Sequence, residues 1–174
     1  MAARSGIPPF HPETGGGAWT RSVQFALKTR SVRRVVTQIA KRADPVLHGL
    51  TRGRLGVHLA LPFVSMTTTG AKSGQPRTTA VLYFNDGEDL ILIASNYGGD
   101  HHPAWYHNLK ANSATLLARG DRSGTYTAAE VTDETERERL FALAAHVYGG
   151  FADYRELTDR IGRRIPIMRL HQTH

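Results

Sequence analysis

Between residues 63 and 131 the turn signals come so close together that most of the strands can pair only as hairpins. Phe63 to Thr69 is rich in Thr and Val and starts after Pro62. Pro76 to Phe84 follows, then Asn85-Asp86-Gly87, then Leu90 to Ser95. Ala114 to Arg119 and Thr125 to Val131 sit either side of Gly120-Asp121. An Asp-Gly pair between apolar strands is a strong hairpin signal. A parallel crossover needs a dozen or more residues, usually helical. The pattern therefore predicts an antiparallel, barrel-like sheet rather than a doubly wound one.

Helices flank these strands. His102 to Ala111 reads as a short one, with Pro103 near its first position. Glu134 to Tyr148 reads as a second, capped by Thr132 or Asp133, with Phe141, Ala144, Ala145 and Tyr148 on one face. Phe151 to Arg160 is a third, and Ile165 to Leu170 a last strand. Residues 1–18, with three prolines and Gly15-Gly16-Gly17, read as a flexible lead. Residues 19–55 form a separate basic stretch, and 56–174 the barrel domain.

Charge separates these regions. Residues 1–55 hold ten Lys and Arg against Glu13 and Asp44, a net +8 within a chain total of +7. The remainder is nearly neutral. Within 19–43, Val32, Val35, Val36, Ile39, Ala40 and Ala43 recur at helix period, flanked by Arg30, Arg33, Arg34, Lys41 and Arg42. Two readings fit: a helix packed on the body, or a basic amphipathic helix on an anionic membrane. No zinc-finger spacing, zipper heptad or RNP-like strand accompanies the charge, so nucleic acid is not an expected partner.

Cysteine is absent. That removes disulfides, thiolate-held metals and thiol nucleophiles, and suits a reducing compartment. No run approaches the roughly 18 apolar residues of a membrane-spanning helix, and the first residues lack a secretory h-region. The expected location is cytoplasmic, with peripheral contact at the inner membrane face. Lys72-Ser73 lacks the glycines of a phosphate-binding P-loop. No catalytic triad motif appears. Asp100, His101, His102 and His107 lack metal-ligand spacing, and no metal is expected.

Three clusters remain. Thr67 to Arg77 ends a strand in a turn with two glycines, Thr69, Lys72, Ser73 and Arg77. Such a turn is either an anion-binding nest or a tight hairpin with a solvated basic tip. Ala94 to Asn108 holds Ser95, Asn96, Tyr97, Gly98 and Gly99, then His102, Pro103, Ala104 and Trp105. Small residues and amides at a strand end admit a planar ring close to the backbone. Trp105 either stacks beside such a ring or fills core. In the third cluster Tyr148, Phe151 and Tyr154 are spaced three apart around Gly149-Gly150. They either wall an apolar pocket or seal a helix contact.

Together, Thr67 to Arg77, Ala94 to Asn108 and Tyr148 to Pro166 with its Arg-Arg-Ile-Pro piece resemble the deazaflavin (F420)-dependent nitroreductase and quinone reductase family of actinobacteria. The likeness covers about residues 56–172. It implies a mainly β chain with flanking helices, a split β-barrel of the flavin-reductase (FMN-binding-like) kind. It also implies coenzyme F420 as hydride donor to a planar acceptor such as a quinone, and possible action on nitroaromatics. By the family pattern, Lys72, Ser73 and Arg77, with Thr69 beside them, hold the phosphate and acidic tail. Asn96, Tyr97, Gly98 and Gly99, flanked by Ser95, line the ring. His102, Pro103, Ala104 and Trp105 complete the groove, and Tyr148, Phe151 and Tyr154 face the substrate, Tyr154 as the favoured proton source. Nitroimidazole-activating relatives carry a tyrosine where this chain has Phe151, and prolines where it has Gly149 and Gly150. A cofactor-binding or storage protein without robust turnover is the alternative function.

Overall fold

A computed structural model describes residues 4–12 and 61–173 of the 174-residue chain. Seven strands are present: β1 (Arg4–Ser5), β2 (Phe63–Thr69), β3 (Pro76–Asp86), β4 (Asp89–Ile93), β5 (Ala114–Arg119), β6 (Arg122–Glu130) and β7 (Ile167–Thr173). Three helices join them: α1 (Ala104–Ala111), α2 (Glu134–Val147) and α3 (Gly150–Asp159). The sheet runs β6-β5-β2-β3-β4-β7 and closes through pairing of β7 with β6. Every pairing in this ring is antiparallel, and closure leaves the barrel without a free edge. The mainly β split barrel expected from the sequence is what forms.

Period-two alternation sorts the core into two parts. Val64, Met66, Val81, Tyr83, Leu90, Leu92, Leu117, Tyr126, Met168 and Leu170 fill the barrel. Their neighbours Phe84, Ile91, Ile93 and Ile167 point outward, under α2 and α3. This explains the unbroken apolar run Leu90-Ile91-Leu92-Ile93, which is buried on both faces. Asp133 caps α2 by accepting a hydrogen bond from Glu136 N at 2.8 Å. Asp86 accepts from both Arg139 (2.6 Å) and Arg169 (2.9 Å). Those arginines tie α2 and β7 to the β3–β4 hairpin. Hydrogen bonding from Arg139, reinforced by Arg169 against the pull of burial, holds the Asp86 carboxyl below the usual range.

Several boundaries differ from expectation. Asp86 pairs with Asp89, so the hairpin loop is Gly87-Glu88, one residue later than expected, with Gly87 at φ 62°. Arg119 pairs with Arg122 across Gly120-Asp121, so β6 begins three residues before Thr125. β7 starts after Pro166 and reaches Thr173, because β6 offers partners as far as Thr125.

The flexible lead is corrected over residues 4–12. β1 lies parallel beside β6. Ile7 enters the barrel core and its N–H donates to the Tyr126 hydroxyl at 3.0 Å. The Tyr83 hydroxyl donates to Pro8 O at 2.7 Å. Phe10 and Asn85 exchange two bonds, Phe10 N to Asn85 Oδ1 at 2.9 Å and Asn85 N to Phe10 O at 2.7 Å. The segment straps the barrel end that carries the 87–88 and 120–121 turns. Glycine and proline there serve a docked, irregular path. The basic helix expected over 19–43 and the connector to 55 lie outside the described residues. No helix among the described residues is long and apolar enough to cross a membrane.

Candidate functional site

The strand directions bring the sequence clusters to the other barrel end. There β2 and β4 finish, β3, β5 and β7 begin, and α1 packs on β2. The 70–75 loop joins β2 to β3 from Thr69, which pairs with Pro76. Gly70 N donates to Gln75 O at 2.9 Å, and Gly74 N to Gly70 O at 2.8 Å. A Cβ on Gly70 would meet Ser73 Oγ at 2.6 Å and Gln75 O at 3.1 Å, so glycine lets the Ser73 hydroxyl and the Gln75 carbonyl lie close over the loop. Thr69, Lys72, Ser73 and Arg77 are exposed. Among the described residues Lys72 and Arg77 have no ion-pair partner.

One buried amide ties this loop to α1. Asn108 Oδ1 accepts from Ala71 N at 2.9 Å, and its Nδ2 donates to Thr68 Oγ1 at 3.0 Å. Further along, Tyr106 Oη and Lys110 Nζ both donate to Glu130 Oε2 at 3.0 Å. Burial pulls the Glu130 carboxyl upward, but these two bonds outweigh it and leave it below the ordinary carboxylate value.

β4 runs out into an unusual turn. Asn96, Tyr97 and Gly98 are all left-handed, at φ 48°, 53° and 73°. For two non-glycine residues that is strained, at roughly 1–2 kcal/mol each, and persists only where surroundings enforce it. Asn96 Nδ2 donates to His101 O at 3.0 Å. A Cβ on Gly98 would lie 3.3 Å from Tyr154 Cα and 3.0 Å from Leu157, so α3 packs directly on the turn. The Tyr97 and Tyr154 rings meet edge-on at 6.1 Å. The second and third clusters are thus in contact. Ser95 is buried; Asn96 to Gly99, His102, Pro103 and Trp105 are half-buried; Ala104 is exposed. Trp105 packs partly on the barrel core.

The aromatic trio sits deeper than a pocket wall does. Tyr148 is 7%, Phe151 4% and Tyr154 7% exposed, all within the core under α2 and α3. Tyr148 and Tyr154 hydroxyls are 3.4 Å apart, and Phe151 is edge-on to both rings. A shallow groove of about 380 Å³ between α2 and α3, lined by Phe141, Ala145, Ala152 and Arg155, contains none of the expected site residues.

The residue that organises the turn carried no role in the sequence reading. Arg163 is 8% exposed. Its Nη1 donates to Ser95 O and Gly99 O at 2.9 Å, its Nη2 to Ala94 O at 2.8 Å, and its Nε to His102 Nδ1 at 3.3 Å. Burial, then the Arg163 charge, lower the His102 pKa from its ordinary value. The signal was present only as the Arg-Arg-Ile-Pro piece.

Known proteins share the fold and the sequence pattern over most of the chain. The profile of the F420H(2)-dependent quinone reductase family matches residues 40–172. An F420H(2)-dependent quinone reductase of Mycobacterium tuberculosis is 34% identical over 139 residues, 78% of this chain and 91% of the relative. A solved F420-H2 dependent reductase superposes with TM-score 0.56 at 37% identity, covering 63% of this chain and 94% of that one. A second solved chain, described as a domain-swapped dimer, gives TM-score 0.57 at 33% identity over 80% of this chain and 98% of its own.

Proposed function

We propose, from the premise that this chain belongs to the F420H(2)-dependent quinone reductase family, that the barrel end carrying the 70–75 loop and the 96–98 turn is its F420H2 and quinone site. The observation behind this is a pair of exposed cations, Lys72 and Arg77, without an ion-pair partner among the described residues, on a glycine turn at the same end as the strained 96–98 turn. That donor set fits F420: the cations suit an anionic tail, and the glycine-bearing turn suits a flat ring. Lys72, Ser73 and Arg77, with Thr69, hold the phosphate and tail. Ser95 to Gly99 and His102 to Trp105 take the ring. When bound, reduced F420 supplies a hydride.

The chain's own residues supply position and protons. The backbone at 96–99 orients, and the packing of α3 on the turn excludes water. Tyr148, Phe151 and Tyr154 back the acceptor, with the Tyr154 hydroxyl as the proton donor. The three rings are nearly buried and edge-on to one another, so they back the acceptor from beneath, and Phe151, lacking a phenol, offers it no hydroxyl donor. A quinone needs that donor less than a nitroimidazole does. The test combines F420 titration with turnover. Arg77→Ala weakens F420 binding by about 1–3 kcal/mol, roughly fivefold to 150-fold. The native protein turns over a soluble quinone well ahead of a nitroimidazole. Unchanged affinity in a folded variant refutes the tail assignment; binding without turnover makes the protein a carrier.

Residues 19–43 bring this site to an anionic membrane, where lipid-soluble quinones reside. Each well-placed Lys or Arg contributes about 1 kcal/mol, screened by salt. Full-length protein is expected to co-sediment with anionic but not neutral vesicles, and to release as salt rises. No binding to anionic vesicles refutes the reading.

A further inference from the structure

We propose that Arg163 is the positioning residue of this site, holding the left-handed turn at 96–98 and fixing the His102 ring as the tautomer protonated on Nε2. This deepens the cofactor reading above and, in its catalytic consequence, rests on it.

The guanidinium has five N–H donors and no acceptor. Three of its bonds go to backbone carbonyls that bracket the strained turn: Ala94 and Ser95 before it, Gly99 after it. A fork that clamps both flanks leaves the turn little freedom to relax into ordinary backbone. The fourth bond is the informative one. Arg163 Nε must donate to His102 Nδ1, so Nδ1 must present a lone pair. A neutral imidazole with an accepting Nδ1 carries its single proton on Nε2. Protonating Nδ1 would break that bond and set two cations together.

The other groups around the ring allow the same state. From α1, Tyr106 lies edge-on at 5.0 Å and His107 at 6.0 Å between ring centroids. His101 precedes it and is paired with Asp100 at 2.7 Å. Glu130, on β6, favours a charged ring, and its carboxylate is already engaged by Tyr106 and Lys110. His102 therefore offers one donor, Nε2–H, without a charge. A neutral, fixed donor suits a carbonyl or ring nitrogen of a planar ligand, and it leaves anion recognition to Lys72 and Arg77.

The experiment is a long-range proton–nitrogen correlation spectrum of the histidine side chains in the full-length protein without cofactor. His102→Gln identifies the His102 signals. The native ring is expected to show the Nε2–H pattern at neutral pH and to titrate at lower pH than an ordinary imidazole. In Arg163→Gln the same ring is expected to become a tautomer mixture and to titrate at higher pH. The kcat/KM for F420H2 should fall roughly tenfold or more, with a new acid limb in its pH profile. An Nδ1–H ring in the native protein overturns the proposal. So does an unchanged His102 spectrum in Arg163→Gln. If that variant does not fold, Arg163→Lys replaces it, keeping charge but losing the fork. Because the spectrum is taken without cofactor, a fixed Nε2–H ring in a protein that fails to bind F420 refutes the cofactor reading and upholds the role of Arg163.

Discussion

Gly150→Ala is expected to lower the melting temperature and cripple quinone turnover together. A Cβ at that position lies 2.2 Å from Tyr148 Cε1, 2.5 Å from Cζ and 2.7 Å from the hydroxyl oxygen. Real Cβ contacts do not come so close, so the Tyr148 ring has to move. It is buried against Phe151, with its hydroxyl facing that of Tyr154, and has no slack on its inner side. Overpacking of this kind costs about 1–3 kcal/mol. The helical preference of alanine over glycine returns about 0.5–1 kcal/mol of it. The melting shift is therefore modest, and the larger loss falls on turnover, because the displaced ring lies beneath the proposed acceptor site. Calorimetry and steady-state kinetics check the pair. A variant with native melting and native turnover contradicts the packing described.

Removing residues 1–12 is expected to have the larger effect on stability. Ile7 leaves the barrel core, at a cost of about 1.5–3 kcal/mol. Buried Asn85 loses both its bonds to Phe10, and the Tyr83 and Tyr126 hydroxyls lose their partners in the strap. Some of that polar loss is recovered by water. For a chain this long the sum corresponds to a melting shift of roughly 5–15 °C. Asn85→Ala, which severs one of the reciprocal bonds at the side chain, should give a smaller shift in the same direction. A shortened protein that melts like the native one excludes a stabilising strap.

What the sequence disclosed, and what it did not, follows from the range over which each signal acts. Hairpins are local. Gly87 and Gly120 marked the turns, the apolar run from Leu90 marked a strand, and Thr132 or Asp133 marked the start of α2. The candidate clusters were legible because glycines, amides and cations stood next to one another at strand ends. The strap was not, since its partners lie 75 to 119 residues away and its own composition resembles a linker. Asn108 and Arg163 were missed for a related reason. Each is a single polar residue whose work is to satisfy distant backbone groups, and neither periodicity nor spacing marks such a residue. Burial of a charged side chain becomes visible only when its carbonyl partners are in place. The aromatic trio shows a different limit: its spacing was clear, but not that α3 would press all three rings into the core.

The strap also bears on how the chain is made. Ile7 leaves the ribosome 119 positions ahead of its partner Tyr126. At roughly 5–20 residues per second, that separation is about 6–24 s of synthesis. The barrel itself waits longer, because β7 must emerge before it can close against β6. During that interval the nascent chain carries Ile7 and Phe10 with no core to receive them. Ile7 and Phe10 are thus seated late, and chaperones that scan emerging chains meet them well before their partners exist.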